Sequence, residues 1–388
     1  MDKNLTHPEI ATNLSNAAFT LAQTNNFLFL GYSKAEAGDY QGAIADYNQA
    51  IAVDPICIDA YLKRANAYLE LEEYQAAIAD TSLIMQLDSN NADAYFLRGI
   101  AYMQGFSEAA DTEDCEQALE DCDRAFSLDP DFAHEAEPYL MRGWIYFLLE
   151  KPEQALADFN RAIALDSTLS DEIEPYFMRA TVYYVLGEYE KALNDYAHII
   201  KITPDYADVY VNRADIYYYL GDYQNALTNC MLALLLEPDN AELYFMRGNI
   251  FYDLENDWQA LIDYKRAIDI APDYADAYFN QGIIYSYLNE SRQAINNFQQ
   301  AADLYQSQGK YDEALEASAK IKDCKKINGM GIGEGDTGHR ETKNNVQTRN
   351  FASVINFPFI YRFANREIAS SVTRQIRHSS IMEAPILL

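Results

Sequence analysis

One spacing dominates this sequence. An aromatic residue is followed three positions on by Arg, then by Gly or Ala, then three further on by a second aromatic. It reads Tyr61, Arg64, Ala65, Tyr68 and again Tyr95, Arg98, Gly99, Tyr102. The group recurs from Tyr139, Tyr176, Tyr210 and Tyr244, and more loosely from Phe27 and Tyr278. The leading aromatics stand 34, 34, 44, 37, 34, 34 and 34 residues apart. A fixed period of this length marks a stacked repeat array, with the two longer steps as insertions.

Each copy has a second half. An alanine recurs without exception at Ala43, Ala77, Ala118, Ala155, Ala192, Ala226, Ala260 and Ala294. Four residues later comes Tyr47, Thr81, Cys122, Phe159, Tyr196, Cys230, Tyr264 or Phe298. Aromatic, small, aromatic at i, i+4 and i+7 lies on one helical face, and so does the alanine series, so each copy is predicted to be two amphipathic helices. Gly38, Gly187 and Gly221 sit between the halves, where glycine ends a helix. Pro55, Pro130, Pro204, Pro238 and Pro272 follow the second half and stop it. A single hairpin leaves an apolar face bare, so the copies must stack.

These residues resemble the tetratricopeptide repeat family, whose pattern has an aromatic, Gly, Tyr, Ala, aromatic, Ala and Pro at these offsets. The resemblance covers residues 24 to about 306, eight copies. Lys34 departs from it in place of the second aromatic, and Trp258 sits one residue late. It implies an all-α fold, a right-handed α-solenoid superhelix of antiparallel helix pairs with a concave groove. It also implies a non-enzymatic role in protein–protein interaction.

The family's groove positions transfer by offset from each leading aromatic. Two residues before it stand Asp59, Asp93, Glu137, Glu174, Asp208, Glu242 and Asp276, acid in seven of eight copies. First-turn carboxylates also favour a helix N-terminus, by about 0.3–1 kcal/mol each, which explains part of this column. Further offsets give Asn66, Trp144, Phe147, Tyr184, Asp215, Tyr218, Tyr219, Asn249, Tyr252 and Tyr287. Tyrosine offers apolar area and a hydroxyl at low entropic cost, as interfaces use it. The expected partner is a protein or peptide segment carrying Lys or Arg among apolar or aromatic side chains. Leu62, Phe96, Leu140 and Phe177 at the first clamp offset argue against a carboxylate clamp for chaperone tails.

Six arginines recur in step: Arg64, Arg98, Arg142, Arg179, Arg213 and Arg247. Three residues after each second-half alanine stands Asp46, Asp80, Asp121, Asp158, Asp195, Asn229, Asp263 or Asn297. Copy one has Leu30 at the Arg position, and copy eight has Asn297 at the Asp position. Pairing each Arg with the Asp of the preceding copy accounts for both ends, so a cross-repeat ion-pair ladder is expected.

Charge narrows the function further. Sixty Asp and Glu against 29 Lys and Arg give −31, against nucleic-acid binding, which needs cations to displace counterions. Residues 328–388 carry seven basic and five acidic side chains, +2, leaving −33 on the remainder. No apolar run reaches the roughly 18 residues of a membrane span. The N-terminus lacks the charged-then-apolar order of a signal peptide. Five scattered cysteines without CxxC point to reduced thiols, and together these readings give a cytoplasmic expectation. Five separated histidines and the absence of HExxH, GxSxG and P-loop motifs point to no catalytic, metal or cofactor site.

The organisation expected is an N-terminal extension over 1–23, the repeats with a capping helix over 24–327, a glycine-rich linker over 328–350 and a basic, aromatic tail over 351–388. The GxGxxG from Gly333 to Gly338 follows no strand and reads as linker. The insertions near Gly105 and before Tyr139 and Tyr176 read as longer solvent loops. An alternative role is a regulatory or targeting subunit that holds an enzyme on the convex face, autoinhibited by its own tail.

Overall fold

The computed structural model describes residues 7–105 and 112–329, with side chains from Ala18 to Lys326 outside that gap. Among the described residues are seventeen α-helices and no strand. The glycine-rich linker beyond Gly329, the basic tail and most of the acidic insertion after Gly105 lie outside them. The chain forms two compact units, one up to Gly187 and one from Glu188.

The first unit holds α1 (His7–Glu36), α2 (Tyr40–Val53), α3 (Ile58–Glu70), α4 (Tyr74–Leu87), α5 (Ala92–Gln104), α6 (Thr112–Leu128), α7 (Glu137–Leu148), α8 (Pro152–Leu165) and α9 (Glu174–Val185). The second holds α10 (Tyr189–Ile202), α11 (Ala207–Tyr219), α12 (Tyr223–Leu236), α13 (Ala241–Asp253), α14 (Asp257–Ile270), α15 (Ala275–Tyr287), α16 (Ser291–Ser307) and α17 (Tyr311–Gly329). Consecutive helices pack as pairs, α3 on α4, α5 on α6, α7 on α8, α11 on α12 and α13 on α14. Each pair is one copy of the sequence pattern. α16 packs equally on α15 and on α17. It is therefore both the second helix of copy eight and the first helix of the pair that closes the array. Among its described side chains, α17 buries Ala317, Ile321 and Cys324.

The small and aromatic positions mesh inside each pair. A Cβ at Gly248 would lie 2.6 Å from the Tyr264 ring, and one at Gly282 would lie 2.7 Å from Phe298. Gly31 against Tyr47 and Gly143 against Phe159 repeat the arrangement. In two copies the second-helix residue is small, Thr81 and Cys230, and the same first-helix position carries Ala65 and Ala214, although Cys122 in copy three stands with Gly99. All four of these residues, Ala65, Thr81, Ala214 and Cys230, are fully buried, so in those two copies the alanine methyl takes up part of the volume that an aromatic fills elsewhere.

Between the two helices one residue must turn left-handed. Gly38, Gly221 and Gly309 do so at φ of 74–79°, as the sequence predicts for the first two. Elsewhere Glu72, Glu150, Glu255 and Asn289 take φ of 55–60°. The conformation brings the next N–H back onto the helix end, for example Asn256 N to Phe251 O at 2.8 Å. A glutamate held there carries a Cβ–carbonyl repulsion that glycine lacks. Glu255→Gly is accordingly expected to stabilise the second unit by about 0.5–1 kcal/mol, read as a higher urea midpoint. An unchanged or lower midpoint contradicts it.

The arginine column pairs differently from the cross-repeat expectation. Arg64 grips Asp80, Arg98 grips Asp121, Arg142 grips Asp158 and Arg247 grips Asp263, each through two bonds of 2.6–3.0 Å. All four partners belong to the same copy, not the preceding one. The reason is antiparallel register, which sets a residue beside one 16 positions later across a standard turn. The preceding copy is reached by Nη1 alone: Arg64 to Asn48, Arg142 to Asp123 at 3.0 Å and Arg179 to Asn160 at 2.9 Å. In copy one, where Leu30 stands at the Arg position, Lys34 reaches Asp46 from the second-aromatic position at 2.6 Å. In copy eight, Gln281 stands at the Arg position and donates to Leu261 O at 3.3 Å.

The short insertions are not solvent loops. Each forms a 3₁₀ turn, Pro130–His134 and Ser167–Asp171. Phe132 drops beside Phe96 at 5.2 Å between ring centres, and Leu169 is fully buried. An extra apolar residue in a connection is drawn inward by the area it removes from water.

Candidate functional site

Every member of the acid column sits in the first turn of its helix, Asp59 on α3, Asp93 on α5, Glu137 on α7, Glu174 on α9, Asp208 on α11, Glu242 on α13 and Asp276 on α15. The helix dipole favours acid there, but the surroundings do not. Asp59 is exposed, Asp93, Glu174, Asp208 and Glu242 are half-buried, and Glu137 and Asp276 are buried. Loss of water, with Asp129, Glu135 and Asp59 nearby, pushes the Asp93 carboxyl up to about 6. Burial beside Glu237 takes Asp208 up to about 6 as well. Glu242 rises through burial alone. Glu137 rises well above the usual range through burial and then Glu135, and its Oε1 has no hydrogen-bond partner. Among the described residues, Asp93, Glu137, Asp208 and Glu242 form no ion pair.

A carboxyl near 3.9 in the unfolded chain and about 6 in the fold binds more protons when folded between those values. Its contribution therefore favours the fold below pH 4 and weakens as pH rises through 6. Asp93→Asn removes that charge, so the variant should exceed the parent in stability at pH 7.5, with the gap closing toward pH 4. Paired urea titrations at the two pH values measure it; an equal gap at both contradicts the raised carboxyl.

The tyrosines divide. Tyr218 on α11 donates to Asp253 Oδ2 at 2.7 Å, so its ring is fixed, and burial beside that carboxylate keeps its hydroxyl protonated. Tyr219 is 63% exposed, its ring 5.1 Å from that of Tyr189. Tyr184 on α9 and Tyr287 on α15 are half-buried. These side chains present surface.

Others expected in the groove lie in the interior. Trp144 is 1% exposed, stacked 5.1 Å from Phe147, and its Nε1 meets no acceptor. Phe147, Asp215 and Tyr252 are buried too. Asn249 is 1% exposed, and its Oδ1 accepts from Tyr264 at 2.7 Å and from Asn280 at 3.0 Å. First helices of adjacent copies touch, α3 with α5 and α5 with α7. A position central on that face is thereby covered by its neighbour. Asn66, at the same offset in copy two, is half-buried with an unpartnered Oδ1.

A role of tyrosine that spacing alone misses is at the leading position. The hydroxyls of Tyr61, Tyr210 and Tyr244 donate to the carbonyls of Pro55, Pro204 and Pro238 at 2.7–3.2 Å. Each ties its helix to the turn six residues earlier, which phenylalanine does not do. Tyr95 and Tyr139 reach the carbonyls of Ser89 and Ala133 in the same way at 3.4 and 3.5 Å, so the bond follows the six-residue separation and not the proline.

No group of His, Cys, Asp or Glu among the described residues is arranged to hold a metal ion. Burial pushes the Cys115 and Cys230 thiols up to about 12, which leaves them poor nucleophiles. No helix among the described residues is long and apolar enough to cross a membrane.

Models of the TPR repeat match residues 31–72, 180–221 and 248–289, and models of the tetratricopeptide repeat match 136–169, 207–240 and 275–304. Comparison with curated proteins returns no match. Among solved structures, a thermophilic TPR protein of Thermus thermophilus is 25% identical over 50% of this chain and 99% of its own, with a TM-score of 0.39. A tetratricopeptide repeat protein of Parabacteroides merdae is 18% identical over 68% of this chain and 97% of its own, with a TM-score of 0.46. YrrB, described as a TPR protein with an unusual peptide-binding site, is 21% identical over 59% and 93%, with a TM-score of 0.36. The period, the helix pairs it builds and the repeat models agree: the chain belongs to the tetratricopeptide repeat family, a protein-interaction fold.

Proposed function

We propose that the chain is a non-enzymatic scaffold whose first-helix faces bind protein segments in which Arg or Lys stands among apolar or aromatic side chains. The observation that carries this is the acid column, half out of water and without an ion pair at Asp93, Asp208 and Glu242. A partner's cation supplies the missing countercharge, and like charges on an acidic partner are rejected. In the first unit Asp59, Asp93, Glu174 and Tyr184 are the accessible members. In the second they are Asp208, Glu242, Tyr218, Tyr219 and Tyr287.

A cation bound at Asp93 or Asp208 lowers its pKa, so association at pH 6 releases protons and association at pH 8 does not. Calorimetry of the full-length chain with an arginine- and tyrosine-containing decapeptide, in buffers of different ionisation enthalpy, reads this directly. Tyr219→Ala with Tyr287→Ala is expected to weaken the same peptide roughly tenfold. An affinity indifferent to salt, to pH and to both substitutions would retire the groove.

A second reading has its own observation. On the outer helices Met231 and Leu235 of α12 are 59% and 78% exposed, and Trp258 and Ile262 of α14 are 71% and 45% exposed. Exposed large side chains at i, i+4 spacing suit a helix or sheet packed on the convex side, as a subunit that carries an enzyme requires. Leu235→Glu with Trp258→Glu separates the readings: groove peptides bind unchanged, and a convex-face partner is lost.

A further inference from the structure

In the second unit a cavity of about 440 Å³ opens between the first turns of α13 and α15 and the turn into α17. Glu242, Phe245, Tyr274, Asp276, Gln308 and Lys310 are among the residues that line it. One wall is aromatic and fixed. The Phe245 and Tyr274 rings are 4.9 Å apart at 39°, and Phe245 is only 5% exposed, packed also on Tyr264 at 5.6 Å. The acidic side is set from behind: Tyr305 donates to Asp276 Oδ1 at 2.6 Å and holds that carboxylate in place. The rim is tied by Gln308 Nε2 to Asp273 O at 2.9 Å. Glu242 makes no hydrogen bond or ion pair through its side chain among the described residues. Lys310 stands in the same lining, also without an ion pair.

A 440 Å³ space is in the range of sites for small ligands or a single anchoring side chain. Its chemistry combines carboxylates with ring faces, and both attract a cation. A planar guanidinium stacks on aromatic rings and donates in a fork to carboxylates, whereas an ammonium is a compact, strongly hydrated charge. We propose that this cavity is the anchor subsite for one arginine of a bound segment. The stem lies on Phe245 and Tyr274, the guanidinium lies at Glu242 and Asp276, and Lys310 donates to an acceptor flanking that arginine. The assignment rests on the acid-column reading and names the side chain that one part of it takes.

The test uses the full-length isotope-labelled chain and three small probes: N-acetylarginine methylamide, its lysine counterpart and its citrulline counterpart. The arginine probe is expected to move the amide resonances of Ala241, Glu242, Ala275 and Asp276 with millimolar affinity, with lysine weaker and citrulline silent. Glu242→Gln should weaken the arginine probe at least about fivefold, near 1 kcal/mol, without lowering the melting temperature. Tyr274→Leu, at a half-buried ring, should weaken it as well. Silence of the arginine probe, equal response to citrulline or to lysine, or an unchanged Glu242→Gln overturns the subsite. The decapeptide keeps the two ideas apart: if it binds with salt dependence while the single-residue probe is silent, the groove stands and this anchor falls.

Discussion

Tyr264→Ala is expected to destabilise the second unit by about 4 kcal/mol, the typical cost of truncating a fully buried aromatic. The ring is 0% exposed between Gly248 and Phe245, and its hydroxyl donates to Asn249 at 2.7 Å. Tyr264→Phe removes only that bond. Asn249 keeps its contact with Asn280, so the cost falls to about 1 kcal/mol. The array itself suggests a rescue. Two of the three copies with a small second-helix residue carry Ala in the first helix, Ala65 with Thr81 and Ala214 with Cys230; the third pairs Cys122 with Gly99. Gly248→Ala combined with Tyr264→Cys should therefore be more stable than Tyr264→Cys alone, although Gly248→Ala by itself is destabilising because its Cβ meets the ring. Hydrogen exchange on α13 and α14 measures this locally. If the double variant is no better than Tyr264→Cys, the volume exchange between the two positions is wrong.

The second large effect is at Asp121. Its carboxylate, 3% exposed, accepts from Arg98 Nε at 2.7 Å and from Nη2 at 2.8 Å. Asp121→Ala leaves the Arg98 guanidinium, 19% exposed, without its carboxylate, at a cost of about 3 kcal/mol. The double change Arg98→Met with Asp121→Leu should recover most of that loss, because no unpaired charge stays behind. Arg213 supplies the control. Its own-copy partner is Asn229, whose Nδ2 turns instead to Asn225 O at 2.8 Å, and Arg213 Nε meets no acceptor. Arg213→Met should change stability by less than about 0.5 kcal/mol. Equal losses at Asp121 and Arg213 would mean that the bidentate pair contributes nothing particular.

Elements with strong periodicity are legible in the sequence, and details set by neighbours are not. Aromatic and alanine spacing locates both helices of each copy, and Phe298, Ala302 and Tyr305, at the i, i+4, i+7 spacing of a first half, mark α16 as a first helix too. The arginines and aspartates are matched correctly in kind, but spacing assigns them to the wrong copy. Spacing along one chain is consistent with either neighbour, and only the antiparallel register selects the residue 16 positions on. The Phe132 and Leu169 turns are hidden because a lone apolar residue in an insertion has no period. At the site, Asp59 and Tyr219 are exposed and Asp93, Glu174, Asp208 and Glu242 half-buried, whereas Glu137 and Asp276 are buried. Trp144 and Asn249 are buried too, since an offset gives a helix face and says nothing of how closely the next copy covers it. Glu72, Glu150 and Glu255 show the same limit: the turn demands a left-handed residue, and glutamate gives no sequence sign of meeting that demand.

The shared helix α16 bears on how such a chain can change length. From Ala207 to Leu288 the copies are interchangeable in register, each closing with the same pair of helices and the same 34-residue step. A duplication that begins and ends within that stretch inserts a complete unit and leaves its flanks unchanged. Beyond Ser291 the arrangement differs, because a cut after copy eight parts α16 from α17 and strips α17 of the surface it covers. At this end, α15, α16 and α17 therefore stand or fall together, whereas the copies between Ala207 and Leu288 are separable units.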